Sequence, residues 1–315
     1  MAVILLGAFI LDLIIGDPRC YPHPVLLMGK VIHDGEKLIR CQARTTRGLK
    51  VGGVVLTGFI LAASYFFFQG LINLACTLNA TLGMVVSIVI MSQALAVKSL
   101  YQHAMAVLSP LASGDLERAR KKLSLIVGRD TQDLEESEIV RGVVETVAEN
   151  TVDGIIAPLF YGLVGGPALA MAYKAVNTMD SMLGYRNEQY LHLGWASARL
   201  DDLANYIPAR LTVLLFLIIA PLTPGGLQGV WQCVRSDARK HPSPNSGFPE
   251  AAMAGALRVQ LGGENHYQGI PEWRAPMGRP DYILQPDHIK ACLNLMLLLT
   301  VEALMLTVLL AHYCL

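Results

Sequence analysis

Charge is what this sequence is shortest of. Only 16% of its 315 residues are Asp, Glu, Lys or Arg, against about a quarter in a soluble globular domain. The 25 acids cancel the 25 bases, so no basic surplus points to nucleic acid. Paired cysteines are missing as well. The six present (Cys20, Cys41, Cys76, Cys233, Cys292 and Cys314) include no CxxC spacing, which argues against a thiolate metal centre or a disulfide framework. Neither a GxxxxGK[ST] phosphate loop nor a GxGxxG fingerprint occurs, excluding the two commonest nucleotide cradles. The paired-aspartate signatures of membrane prenyltransferases and CDP-alcohol phosphotransferases are absent too. Asp180 stands alone, while Asp201 and Asp202 are adjacent and project from different faces of a helix. The apolar start, residues 1–16, lacks a basic region and a small-residue cleavage site, so it reads as a retained span and not a signal peptide.

What is present instead is apolar length. Hydrophobic residues make up 53% of the chain, and the 47 residues between Lys50 and Lys98 carry no charge. That run suits two helices with a turn near 73–79. Residues 154–173 form a third uncharged run, broken by Pro158, Gly165, Gly166 and Pro167. Residues 211–234 form a fourth, with Pro221 and Pro224 marking an exit turn, and 291–315 close the chain with Glu302 as their one acid. The expected fold is an all-α, polytopic integral membrane bundle with polar helical loops. It reads as one membrane-embedded domain with about six spans, near 2–16, 52–72, 80–97, 155–173, 211–234 and 291–312. All 25 Lys and Arg fall between these runs: seven each in 17–50, 98–153 and 235–290, and four in 174–210. Positive-inside bias puts the three rich segments in the cytoplasm, making this an inner (cytoplasmic) membrane protein with 174–210 on the other face. The Pro and Gly breaks in 154–173 leave open a re-entrant path there.

Polar side chains recur at helical spacing in the middle of the chain. At 100° per residue, Arg141, Glu145, Glu149 and Asp153 fall within about 60° of Glu138, opposite Val140, Val143, Val144 and Val147. Lys174, Asn177, Asp180 and Ser181 share a face of the next segment; Arg199, Asp202, Asn205, Tyr206 and Arg210 share a face of the one after. Ionisable groups bordering a bilayer are costly and normally face a hydrated, protein-lined interior, so these stripes mark a candidate site. Two further stretches look stiff. Asp17-Pro18 and His23-Pro24 follow the first apolar run, each held extended by its proline. The loop 237–250 holds Arg239, His241, Ser243, Asn245 and three prolines. Its rigidity, its donors and a following helix N-terminus suit a phosphate, and an imidazole such as His241 can move a proton near neutral pH.

The blocks VETVAENTVDGIIAPLFY, YKAVNTMDSMLGY, ARLDDLANYIPARLT and HPSPNSGFPEAAMAGAL together resemble the CbiB/CobD family, the adenosylcobinamide-phosphate synthases of cobalamin biosynthesis. LDLIIGDP near the start and LGG at Leu261–Gly263 fit the same pattern, while Gly142 and Thr146 stand where that pattern has Ala and Ser. The resemblance implies an amide-forming ligase of the inner membrane. It would join adenosylcobyric acid to (R)-1-amino-2-propanol O-2-phosphate, or ethanolamine phosphate, using ATP as co-substrate and magnesium. It also implies the lipid bilayer as environment, no nucleic acid, and room for association with other membrane-bound corrin enzymes.

Amide formation from a carboxylate needs activation, charge neutralisation and a base. On that chemistry Glu149, Asp180 and Asp202 are expected at the metal, and Lys174, Arg199, Arg210 and Arg239 at phosphates, with Lys174 counted as catalytic. His241 or Glu145 is expected as base. Asn150, Asn177, Asn205, Ser243 and Asn245 are expected to orient substrate, with Asp17 and His23 at the membrane edge. Two other readings compete. Broken helices with polar stripes also describe a corrinoid transporter, and a scaffold anchoring corrin enzymes would need no site.

Overall fold

The computed structural model describes residues 1–16, 24–185 and 187–313, so the expected positions Asp17 and His23 lie outside the described residues. Helices dominate: α1 (Ala2–Ile15), α2 (Pro24–Gln42), α3 (Thr46–Leu78), α4 (Ala80–Ser92), α5 (Val97–Ala112), α6 (Leu116–Leu123) and α7 (Glu136–Thr151). A π-helical turn over Val152–Ile156 leads into α8 (Ala157–Leu183), then α9 (Trp195–Ala204), α10 (Tyr206–Ile219), α11 (Gly226–Asp237) and α12 (Gly247–Leu257). An antiparallel hairpin of β1 (Gln260–Tyr267) and β2 (Ile270–Gly278) precedes the last helix, α13 (Pro286–Tyr313).

Among the described residues five helical stretches are long and apolar enough to cross a membrane: Thr46–Leu78, Ala80–Ala112, Glu136–Leu183, Trp195–Leu222 and Pro286–Tyr313. The protein is an all-α polytopic membrane protein carrying one small hairpin. At 14 residues, α1 reaches only about 21 Å at 1.5 Å per residue, short of a hydrocarbon core of about 30 Å. The span expected over 211–234 sits earlier, because the helix ends at Leu222 and α11 begins only at Gly226. Pro221, Pro224 and Gly226 (φ 59°) end the first helix and turn the chain.

The chain divides into two compact units, each assembled from separated segments. One comprises Met1–Ala96, Ala157–Asn205 and Leu304–Leu315. In it α3 packs on α4, α8 and α2 and buries Leu56, Ile60, Ser64 and Phe68, while Phe59, Phe66, Phe67 and Leu74 are exposed. A stripe of exposed aromatics over several turns is a lipid-facing surface and not a solvated one. One residue turns the chain between α3 and α4. Asn79 takes extended backbone angles, and its Oδ1 accepts the Thr81 and Leu82 N–H groups at 2.7 and 3.3 Å, closing the helix start as an N-cap should. Within α8 the helix breaks at Gly166, whose φ of 74° no other residue adopts cheaply, followed by Pro167.

The other unit comprises Val97–Ile156 and Tyr206–Ala303. Its centre is α7, packed on α5, α6, α12 and β1. Val140, Val143, Val144 and Val147 are fully buried, the face the spacing assigned to the core. The strands at 260–278 have no counterpart in the expected all-helical elements. The hairpin turns through Gln268 (φ 54°) and Gly269 (φ 79°), the paired positive φ values of a two-residue type I′ connection. Asp130 fastens that turn, its carboxylate accepting the Gln268 and Gly269 N–H groups at 3.2 and 2.7 Å.

Candidate active site

The second unit gathers its charge under the hairpin. Glu145, four residues along α7 from Arg141, takes Arg129 Nη1 at 2.9 Å and Arg141 Nη1 at 3.3 Å, and its Oε1 also accepts the Gly262 N–H at 2.8 Å. Arg141 in turn donates to Glu138, to the Gly262 and Glu264 carbonyls and to Asn265, while Arg129 donates to Asn265 as well. The centre of this knot is buried: Arg141 is 3% exposed and Glu145 and Arg129 are 7% exposed. Removing one partner of such a buried knot leaves charge uncompensated, a cost of about 3–5 kcal/mol. Glu145 is therefore an anchor between α7 and the hairpin, and both its oxygens are taken.

Beside the knot lies a polar cavity of about 140 Å³, lined among others by Arg129, Glu145, Glu149, Asn150, Glu250, Tyr267 and Arg274. Glu149 accepts the Ser246 hydroxyl at 2.9 Å. Glu250, 2% exposed, faces His241, with Oε1 3.7 Å from Nε2. Burial pushes the Glu250 carboxyl well above the usual carboxylate range, and the charges of Glu145 and Glu149 push the same way against Arg274 and Arg129. Burial and the Arg274 cation hold the His241 imidazole below its ordinary value, against the pull of Glu149. The Ser243 N–H donates to His241 Nδ1 at 3.0 Å, so the neutral ring carries its proton on Nε2. Nε2 itself is buried without a hydrogen-bond partner.

The loop leading to α12 is closed on itself. Ser243 Oγ accepts the Asn245 and Ser246 N–H groups at 3.2 Å each. Arg210 Nη1 donates to Asn245 Oδ1 at 2.7 Å, and its guanidinium lies 3.6 Å from the ring centre of Tyr206 and 4.3 Å from that of Phe248. Ser243, Asn245 and Arg210 thus hold the loop that presents His241 and Glu250. Arg239 is exposed.

In the first unit the half-buried positions Lys174, Asn177 and Asp180 follow one another at three-residue spacing along α8. Asp180 lies within electrostatic reach of Asp201, as does Asp202. Asn205 donates to Asp201 Oδ2 at 3.0 Å and accepts the Tyr173 hydroxyl at 2.8 Å, whereas Asp201 Oδ1 is buried with no hydrogen-bond partner. Arg199 is 67% exposed and stands 3.7 Å from Asp202. Asp201 and Asp202 are both half-buried. Among the described residues no three His, Cys, Asp or Glu side chains are placed to hold a metal by themselves. Magnesium needs less than that, since it keeps waters and uses one or two carboxylates with substrate phosphates. The orphaned Asp201 oxygen beside Asp180 fits that smaller demand.

A family model described as CobD/Cbib protein matches residues 5–296. The chain belongs to the CobD/CbiB family. It is 48% identical over 311 residues, 97% of each chain, to "Cobalamin biosynthesis protein CobD" of Geobacter metallireducens. Its identity to the CobD of Klebsiella pneumoniae is 45% over 293 residues, covering 92% of this chain and 91% of that one. The CbiB of Salmonella paratyphi B is 45% identical over 292 residues, with the same coverage. No solved structure matches. The matched span takes in both polar clusters and the hairpin. Arg129, Glu250, Tyr267 and Arg274 join the candidate residues from outside the expected set, as does Asp201. Glu250 closes the proline-rich loop motif, where an acid in a helix's first turn has a structural reading of its own; Arg274 lies in a strand that carries no such signal.

Proposed function

We propose that this protein acts in cobalamin biosynthesis as the membrane-bound synthase that forms adenosylcobinamide phosphate. The reaction joins the free propionate carboxyl of adenosylcobyric acid to the amine of (R)-1-amino-2-propanol O-2-phosphate, or of ethanolamine phosphate. ATP phosphorylates the carboxylate, releasing ADP; the amine then displaces phosphate from the acyl phosphate and the amide forms. Family membership supports the pathway. The observation that carries the site is the polar cavity under the hairpin, lined by Glu145, Glu149 and Asn150 of α7 and by Glu250 of α12, within two of the blocks that bear the resemblance.

In this reading Glu250 accepts the proton the ammonium must lose. Burial raises its proton affinity, which makes the ionised form a stronger base. His241 stands beside it, Nε2 3.7 Å from Oε1 and so beyond a hydrogen bond, and Glu149 attracts the ammonium. Glu145, saturated by two arginines, keeps the cavity wall in place and does not move a proton. Lys174, Asn177 and Asp180 with Asp201 form a second polar centre suited to phosphate and metal. Asp180 and Asp201 would hold magnesium, which when bound neutralises phosphate charge. Asn150 lines the cavity as a substrate contact.

The test is amide synthesis by the purified, detergent-solubilised chain supplied with adenosylcobyric acid, aminopropanol phosphate, ATP and magnesium. ATP-dependent adenosylcobinamide phosphate is expected. A transporter or a scaffold makes none in detergent, where no compartment exists to transport across, so absence of product from folded protein contradicts the proposal.

A further inference from the structure

The first unit ends in a belt of cations and aromatic rings that the proposed chemistry does not use. From Lys37 to Lys50 the chain carries Lys37, Arg40, Arg44, Arg47 and Lys50 and no acid. The run leads from the last turns of α2 into the first turns of α3. Directly after it Val51, Val54, Val55 and Phe59 are exposed, where the lipid-facing side of α3 begins. The cations therefore stand next to the hydrocarbon, at the depth of lipid headgroups.

The loop between α8 and α9 closes on the same turns. Arg40 Nη2 donates to the Gln189 carbonyl at 3.0 Å, and Lys50 Nζ lies 3.9 Å from the ring centre of Trp195. Gly53 lets the two segments approach, since a Cβ there would overlap the Leu193 carbonyl oxygen. This contact is possible because α8 bends back at Gly165 and Gly166. Tyr161 and Tyr173 stack with ring centres 5.0 Å apart, where unbroken helix would separate the two positions by about 18 Å. Both hydroxyls reach the end of α9, at the Ala204 carbonyl and Asn205 Oδ1. The chain thus doubles back within the unit, and the loop comes to lie at the end where α3 starts. Tyr185 and Trp195 are exposed there, and Tyr and Trp beside Lys and Arg mark a membrane–water interface.

The cations differ in their partners. Arg40 also holds Glu36 at 2.8 Å, and Lys50 has its ring. Arg44 and Arg47 are exposed, and among the described residues neither has an ion-pair partner. Guanidinium forks at headgroup depth match phosphate oxygens, and a basic run without acids favours a surface of net negative charge. The belt continues the lipid-facing side of α3, which makes a lipid its occupant. We propose that the α2–α3 connection and the loop between α8 and α9 form one collar on a single face of the membrane, and that Arg44 and Arg47 there bind the headgroups of anionic phospholipids.

The full chain in nanodiscs of phosphatidylcholine tests it, with Trp231→Phe and Trp273→Phe leaving Trp195 as the single tryptophan. Brominated phosphatidylglycerol or brominated phosphatidylcholine is added at equal mole fraction, and quenching of Trp195 reports which lipid gathers at the collar. Phosphatidylglycerol is expected to quench more strongly. Arg47→Gln should lower that preference roughly fivefold, the equivalent of about 1 kcal/mol per cation at an anionic surface. Arg44→Gln with Arg47→Gln should abolish it, as should molar salt. Arg44→Lys with Arg47→Lys keeps the charge and should keep the preference. Equal quenching by the two lipids in the starting chain overturns the proposal, as does a preference that survives the double glutamine variant. So does competition by millimolar inorganic phosphate, which would make the ligand free phosphate. Loss of self-association in the double variant, with the lipid preference unchanged, overturns it too and would make the face an interface between copies of this chain.

Discussion

At the scale of single residues, the site turns on two carboxyls in contrasting surroundings. Glu145 is bound into guanidinium and backbone donors; Glu250 is buried with a donor ring as neighbour. Their sequence settings gave the opposite impression, because Glu145 sits on an obvious polar stripe and Glu250 follows a proline in a helix's first turn, where an acid normally only complements the dipole. The same difficulty separates Asp201 from Asp202: helical spacing says that one points inward but not which. The burial of Glu250 has a consequence for stability. Its carboxyl ionises near 4.5 when unfolded and well above that when folded. Between those values the native chain holds a proton the unfolded chain has released, so stability is lost as pH rises through the window. The contribution is complete below about pH 4.5 and gone above the native value. Glu250→Gln, which has no such proton, should therefore gain thermal stability relative to wild type as pH rises above about 4.5, until it passes the raised native value, as read from unfolding midpoints in detergent. A difference that stays constant with pH contradicts a raised Glu250.

At the scale of elements, the apolar helices were legible and the hairpin was not. The turn at Asn79 lies at the edge of the region marked by apolar run length, and the break at Gly166-Pro167 is where glycine and proline announce it. The two strands alternate weakly and interleave charge and glycine, and their role depends on partners more than a hundred positions away, such as Arg141 with Gly262 and Glu264. No local pattern carries that pairing. The element-level prediction follows from the knot: Glu145→Ala should destabilise the protein by about 3–5 kcal/mol and loosen the hairpin first. Thermal unfolding and limited proteolysis at 260–278 read this out. Glu145→Gln, which still accepts the Gly262 N–H, should lose less. A hairpin no more cleavable in Glu145→Ala than in wild type would show that the ion pairs do not hold it.

At the scale of the whole molecule, the distribution of basic residues along the chain leads to a sidedness prediction. The crossings Thr46–Leu78 and Ala80–Ala112 place the loop before α7 on the face of the α2–α3 connection, and the loop between α8 and α9, packed on that connection, shares the face. This face carries most of the Lys and Arg and is therefore expected to be cytoplasmic. Single cysteines replacing Ser113 and Glu188, both exposed, in a background freed of other cysteines should both be shielded from reagents outside intact cells. Labelling of either from outside contradicts the arrangement. Composition alone sufficed for this level, since a charged fraction of 16% leaves little besides a membrane to surround the helices.

The most direct measurement is the rate of ATP-dependent amide formation by purified Glu250→Gln, with its folding verified by an unchanged or higher unfolding midpoint. The account predicts a fall of at least about 100-fold, the lower end of what a positioned acid–base group contributes. Synthesis at the wild-type rate would place the chemistry somewhere other than the cavity under the hairpin.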